Sequence, residues 1–238
     1  MTVHTLSMHW DNIDPTIVEG QRRVFEAKGL ALRQVNADGV RHGRWMNRVL
    51  GELDAGDSVL IFDIDAFPLQ RGVIDRALAV AGAGGVFGLA QTANHRPDSD
   101  RIYAGPMCLA VSIATWHALG RPDMASSAQF DAGQALSVAA QAAGRRIELL
   151  YPTSCIVTRW PLGHRGVFGI GTFYGDNEVF HLFESREQRH LELFKAVVDD
   201  AVADAPLRFA RYLEIAAAPE AEAGAPRRRR GLRRWFGG

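Results

Sequence analysis

The residues best placed to do chemistry stand in VLIFDIDAFPL, residues 59–69. Asp63 and Asp65 lie one residue apart and follow the apolar run Val59–Phe62. Residues i and i+2 of a strand share a face, so a strand running through residue 65 projects both carboxylates together. Two carboxylates at close range repel unless one is protonated or a positive charge lies between them. A divalent cation with oxygen ligands, Mg2+ or Mn2+, answers that need, and such ions commonly bridge to phosphates. The plainer reading of an isolated DxD is a pair of solvated turn residues, or a cap for the helix after Pro68. The apolar run ahead of it favours the metal site. A strand covered on both faces reads this way, and open α/β sheets bind ligands beyond the carboxyl ends of their strands.

Other candidates carry two readings each. His181, in VFHLFESR, is a cation ligand or a packed core histidine; a neutral imidazole suits Mn2+ beside carboxylates. Ser185-Arg-Glu-Gln188 matches a capping box, which makes Ser185 a helix cap. Arg186 then either clamps phosphate oxygens through its planar fork or lies exposed on the first turn. Asp131 precedes the helical run AGQALSVAAQAAG and is an N-cap or a cavity residue, with Gln134 one turn on. Gly105-Pro106 reads as a stiff turn where backbone could approach a ligand. Gly169-x-Gly171-Thr172 reads as a loop whose N–H groups could reach a diphosphate, or as a plain flexible loop.

The elements that must position these residues alternate. Strands are expected at Val3–Ser7, Leu30–Val35, Ser58–Asp63, Val86–Ala90, Met107–Ser112 and Ile147–Tyr151. Helices are expected from Asp14-Pro15 to Lys28, over 42–53, Gly72–Ala81, Ile113–Leu119, Phe130–Ala143, Ser185–Ala203 and Leu207–Ala216. Gly163–Gly175 is expected to be a loop. Such alternation favours an α/β domain with a mostly parallel central sheet flanked by helices. The low-complexity stretch 216–226 reads as a flexible linker, ahead of a basic, aromatic tail at 227–238.

Composition narrows the class. The formal net charge of the 238 residues is zero, but residues 217–238 carry a local +4, which leaves the rest slightly acidic. The globular part is therefore no broad basic nucleic-acid binder. Cys108 and Cys155 make no CxxC and no disulfide framework, pointing to a reducing compartment. The N-terminus lacks a signal-peptide pattern, and no run approaches the roughly 20 apolar residues of a membrane span. The expectation is a cytoplasmic protein. Trp235 and Phe236 beside six arginines suit peripheral contact with an anionic membrane surface. The glycines of AGAGGVFG (81–88) fail a dinucleotide fingerprint, since Phe87 stands where a glycine is needed and the order is helix–loop–strand.

Several segments resemble glycosyltransferases of the GT-A fold, distantly the glycogenin-like branch, over roughly residues 1–195. They are FDIDAFPL (62–69), GLAQTANH (88–95), IYAGPMCLAVSIATW (102–116), FDAGQAL (130–136) and VFGIGTFYGDNEVFHLFESR (167–186). The resemblance implies a single Rossmann-like domain over 1–215 that takes a nucleotide-diphosphate sugar. It implies Mn2+ or Mg2+ held by Asp63, Asp65 and His181. It places Asp63, Gln91, Gly105, Pro106 and Gly171 at the donor, Arg186 at the departing diphosphate and Asp131 near the acceptor hydroxyl; His95 is a sugar contact or, like Asp98, a surface loop residue. A haloacid-dehalogenase-like phosphohydrolase with Asp63 as nucleophile is the enzymatic alternative. It needs a downstream lysine, for which Lys195 is the sole candidate. A non-catalytic sugar-binding protein is the third reading.

Overall fold

The computed structural model describes residues 2–93 and 101–218. The elements in chain order are β1 (Val3–His9), α1 (Pro15–Ala27), β2 (Arg33–Asn36), α2 (His42–Glu52), β3 (Ser58–Asp63), β4 (Ala66–Pro68), α3 (Gly72–Gly82), β5 (Val86–Gln91), β6 (Tyr103–Ser112) and α4 (Ile113–Ala118). Then follow α5 (Gln134–Ala142), β7 (Ile147–Leu150), β8 (Pro152–Pro161), a short 3-10 turn at Gly163–Arg165, β9 (Val167–Tyr174), β10 (Val179–His181), α6 (Gln188–Val202) and α7 (Phe209–Ala217).

The central sheet has the order β2-β1-β3-β6-β5-β7. β1, β2 and β3 are parallel, β6 runs against both β3 and β5, and β7 is parallel to β5. The mostly parallel α/β architecture expected from the alternation is what forms. β3 shows why its sequence is continuously apolar. Leu60 and Phe62 enter one hydrophobic core, Val59 and Ile61 the other, because successive side chains point to opposite faces. The first core takes Ile17, Val24 and Phe25 of α1, Val73 and Ala77 of α3, and Phe194 of α6. The second takes Trp45, Met46 and Leu50 of α2, Trp116 of α4 and Leu136 of α5.

Local chemistry sets the helix ends. Asp14 caps α1 by accepting from the Thr16 N–H at 2.8 Å, with Pro15 in the first turn. Gly29, at φ +63°, closes it in the left-handed conformation.

A second sheet, wholly antiparallel in the order β4-β10-β9-β8, stands against the first core through Phe67, Phe173 and Phe180. It corrects the loop expected at Gly163–Gly175, where β9 forms. Gly169 allows that strand to close on its neighbour, since a Cβ there would sit 2.0 Å from the Val157 carbonyl oxygen. Gly171, at φ +62°, packs against Leu193 and Ile156 in the strand interior. The Thr172 hydroxyl turns back on the Gly169 carbonyl and accepts its N–H. That segment is a packed strand, not an exposed phosphate loop.

Gly105-Pro106 is likewise no turn. Both lie inside β6, at a bulge where the pairing jumps from Gly88↔Leu109 to Leu89↔Gly105. A bulge is where a sheet accepts a residue without an N–H. α5 begins at Gln134 rather than Phe130, and α6 at Gln188 rather than Ser185. α7 extends to Ala217, one residue into the expected linker; His95, Asp98 and the tail lie outside the described residues.

α7 is tied to α6 by Asp200, which accepts from Arg208 Nε at 2.9 Å and from the buried Tyr212 hydroxyl at 2.6 Å. Burial opposes ionisation of Asp200, but these donors hold its carboxyl below the usual carboxylate range. A depressed folded pKa means the contribution is complete above the unfolded value of about 3.9 and is lost as pH falls through the lower folded value. Acid unfolding of the wild-type protein followed by circular dichroism is therefore expected to begin below about pH 3.9. Tyr212→Phe is expected to cost about 1.5–3 kcal/mol and to move the acid midpoint upward.

Candidate metal centre

Strand β3 ends at Asp63, and the chain then turns out of the central sheet into β4 of the second. Ile64 goes down into the first core while the two aspartates flank it. The carboxylates converge because of this turn between sheets, rather than by one strand running through residue 65. Gln21, fully buried on α1, holds the turn: its side-chain N–H groups donate to the Asp63 and Ala66 carbonyls, both at 2.7 Å. Gln34 donates in turn to the Gln21 oxygen at 3.0 Å. We expect Gln21→Leu to strip a donor from both carbonyls at about 1–3 kcal/mol for each group left unsatisfied. Chemical denaturation with a parallel Mn2+ titration should show stability and metal affinity falling together.

His181 arrives from the other side. The β4–β10 ladder pairs it with Ala66, and the Leu182 N–H donates to the Asp65 carbonyl at 3.0 Å. His181 is 4% exposed. Its Nε2 lies 3.2 Å from Asp65 Oδ1 and 3.9 Å from Asp63 Oδ2, and its Nδ1 is buried with no hydrogen-bond partner. One ligand atom from each of Asp63, Asp65 and His181 falls within 4.8 Å of the others. Two carboxylates and an imidazole make a donor set that fits Mg2+ or Mn2+.

The two carboxyls are held differently. Burial pushes Asp63 up, with the charges of Asp65 and Asp131 adding to it and those of His42 and His181 opposing. Burial also penalises Asp65, but the hydrogen bonds and charge of His181, and the Ser185 hydroxyl, outweigh it and hold that carboxyl down. Ser185 donates to Asp65 Oδ2. This corrects the capping-box reading: the residue before α6 is Glu187, which makes no side-chain cap, and the Ser185 hydroxyl is committed to the acidic pair.

Asp63, Asp65 and Ser185 open onto a cavity of about 820 Å³ lined also by Trp10, Arg41, His42, Arg44, Asn47, Asp123, Ala132 and Arg186, with His181 buried behind the two carboxylates. Arg186 lies over the Trp10 ring at 5.4 Å and donates to Asn12 Oδ1 at 3.3 Å; Trp10 is fixed by its Nε1–H on the Val40 carbonyl at 2.7 Å. Asp131 accepts from the Tyr103 hydroxyl at 2.9 Å and from the Ala132 N–H at 2.8 Å, and its N–H donates to Gln134 Oε1 at 2.9 Å. It therefore caps no helix by its side chain; α5 is entered through Gly133 at φ +77°.

Of the expected site residues, the structure brings together Asp63, Asp65, His181 and Arg186, with Asp131 near enough to act on Asp63. Gln91, Gly105 and Pro106 do not line this cavity, and neither does His181, which meets the aspartates from the buried side, nor Asp131, whose neighbour Ala132 does. Gln91 is buried at the end of β5, where a Cβ on Gly105 would lie 2.7 Å from its oxygen. Gly171 is held in β9 away from it. Sequence reasoning missed Gln21, His42, Trp10 and the role of Ser185. The first three are far from the DxD in sequence and carry no local pattern; Ser185 did carry one, beside His181 and Arg186, but it matched a cap.

No protein-family profile and no curated protein matches the chain. Among solved structures it is similar to the catalytic domain of Drosophila β1,4-galactosyltransferase 7 in complex with xylobiose, at 14% identity and TM-score 0.41, over 62% of this chain and 64% of that one. It is similar to 2-C-methyl-D-erythritol 4-phosphate cytidylyltransferase of Thermus thermophilus, at 16% identity and TM-score 0.45, over 84% and 100%. The 4-diphosphocytidyl-2C-methyl-D-erythritol synthase of Anaerococcus prevotii gives 11% and 0.45, over 83% and 98%. The chain thus spans a little under two thirds of the galactosyltransferase domain. At these identities and scores the likenesses carry no weight for function, which rests on the geometry of the site.

Proposed function

We propose that the chain is a GT-A-like, metal-dependent glycosyltransferase that takes its sugar from a nucleotide-diphosphate donor, with residues 1–215 as the catalytic domain. The observation that carries this reading is the convergence of Asp63, Asp65 and His181 at the carboxyl end of β3, where the two carboxylates line a cavity large enough for a nucleotide. The charges are complementary. Asp63 and Asp65 balance a divalent cation, and Arg41, Arg44 and Arg186, against Asp123, leave positive charge facing the cavity for a diphosphate.

In the proposed reaction an acceptor hydroxyl attacks the anomeric carbon and the bond from that carbon to the diphosphate oxygen breaks. A bound Mn2+ or Mg2+ supplies Lewis-acid neutralisation of the leaving group. Arg186 reaches the same phosphates by leaving the Trp10 face, and Asp131, aimed by Tyr103 and the Ala132 N–H, takes the acceptor proton. The phosphohydrolase alternative lacks its lysine: Lys195 pairs with Glu192 on the outer face of α6 and Lys28 with Asp204.

No helix among the described residues is long and apolar enough to cross a membrane. We keep the cytoplasmic assignment and the contact of residues 227–238 with anionic membrane as part of the proposal. A thermal-shift screen of nucleotide-sugars with and without Mn2+ tests the reading. A stabilisation that needs both components supports it; no shift with any donor plus Mn2+ contradicts it.

A further inference from the structure

Asp63 is approached by imidazoles from two sides. His181 reaches Oδ2 from β10, and His42, the first residue of α2, places Nδ1 3.4 Å from Oδ1. His42 Nε2 is buried with no hydrogen-bond partner. The ring is held by stacking on Trp45, with centroids 5.8 Å apart and an interplanar angle of 23°. A carboxylate oxygen accepts and cannot donate, so the ring atom of His42 that can serve Asp63 is Nδ1, as donor. Ligating carboxylates are themselves oriented by outer hydrogen-bond donors, and loss of such a donor typically costs metal affinity. Ser185 serves Asp65 in this way.

We infer that His42 is the positioning residue for Asp63: its ring, fixed on Trp45 with Nδ1 3.4 Å from Oδ1, sets the rotation of that carboxylate so that Oδ2 is turned toward His181 and the cation. The inference rests on the metal-site reading above. His42 touches the carboxylate rather than the substrate, so its contribution is to aim a ligand.

The side-chain nitrogen of Asn reproduces His Nδ1, and that of Gln reproduces Nε2. Mn2+ binding to the full chain is measured by electron paramagnetic resonance of the free ion, with thermal unfolding as the check on folding. H42N is expected to bind Mn2+ within about twofold of wild type, and H42Q and H42F about tenfold more weakly. Equal affinity in all three variants, or H42N as weak as H42F, overturns the inference while wild-type binding keeps the metal site intact. If the wild type itself does not bind Mn2+, the metal-site reading falls and this inference with it.

Discussion

Asp63→Asn is expected to make the metal-free protein more stable while abolishing its response to Mn2+. The carboxyl of Asp63 is pushed up by burial and by the nearby charge of Asp65. A raised folded pKa means that the ionised form is disfavoured in the native state and that stability is lost as pH rises through the carboxylate range. A neutral amide removes that burden, so the melting temperature at pH 7 without metal should rise. Asp65→Asn should give no such gain, because His181 and Ser185 already hold the Asp65 carboxylate. Both variants should lower turnover by about 10²–10³-fold, the scale for removing one group that stabilises transition-state charge. Differential scanning fluorimetry with and without Mn2+ separates the pair. A melting temperature that falls in Asp63→Asn would show the pair to be a structural element rather than a strained site.

Gly43→Ala is expected to damage the opposite wall of the cavity. A Cβ there would lie 2.3 Å from the Met124 carbonyl oxygen and 2.4 Å from Ala125 Cα. Both are backbone atoms, so α2 or residues 123–126 must shift. Asn47 ties the same two segments, accepting from the Met124 N–H at 2.9 Å and donating to Asp123 at 2.6 Å. Ala favours a helix over Gly by about 1 kcal/mol, but overpacking typically costs about 1–3 kcal/mol, and here it also loosens those hydrogen bonds. Packing wins. Arg41, His42 and Arg44 move with α2, and a displacement near 1 Å can cost about 10²-fold in activity. Gly51→Ala, on the same helix with nothing within 4 Å of the added carbon, is the matched control and should stabilise slightly. Urea denaturation of the two variants side by side gives the comparison.

The sequence showed what local rules govern. β3 was legible because a strand covered on both faces is continuously apolar, and α1 because Asp14, Pro15 and Gly29 mark its ends. The second sheet was not legible. β8 is bracketed by Pro152 and Pro161 with mixed exposure, and the glycines of β9 read as loop until Val157 is seen pressing on Gly169. The site followed the same division. Asp63 and Asp65 were visible as a spaced pair and His181 as a histidine out of place in an apolar run. Ser185 was masked by a capping-box match whose hydroxyl Asp65 claims instead. His42 and Gln21 reach the acidic pair only through tertiary packing of α2 and α1, which no spacing announces.

The most direct measurement is calorimetric titration of a nucleoside diphosphate into the wild-type protein with Mn2+ and with chelator. Cation and diphosphate held in contact at Asp63, Asp65 and His181 should bind cooperatively, with Mn2+ strengthening nucleotide affinity by ~10- to 100-fold and Asp63→Asn losing that gain. Equal nucleotide affinity in Mn2+ and in chelator would contradict the account.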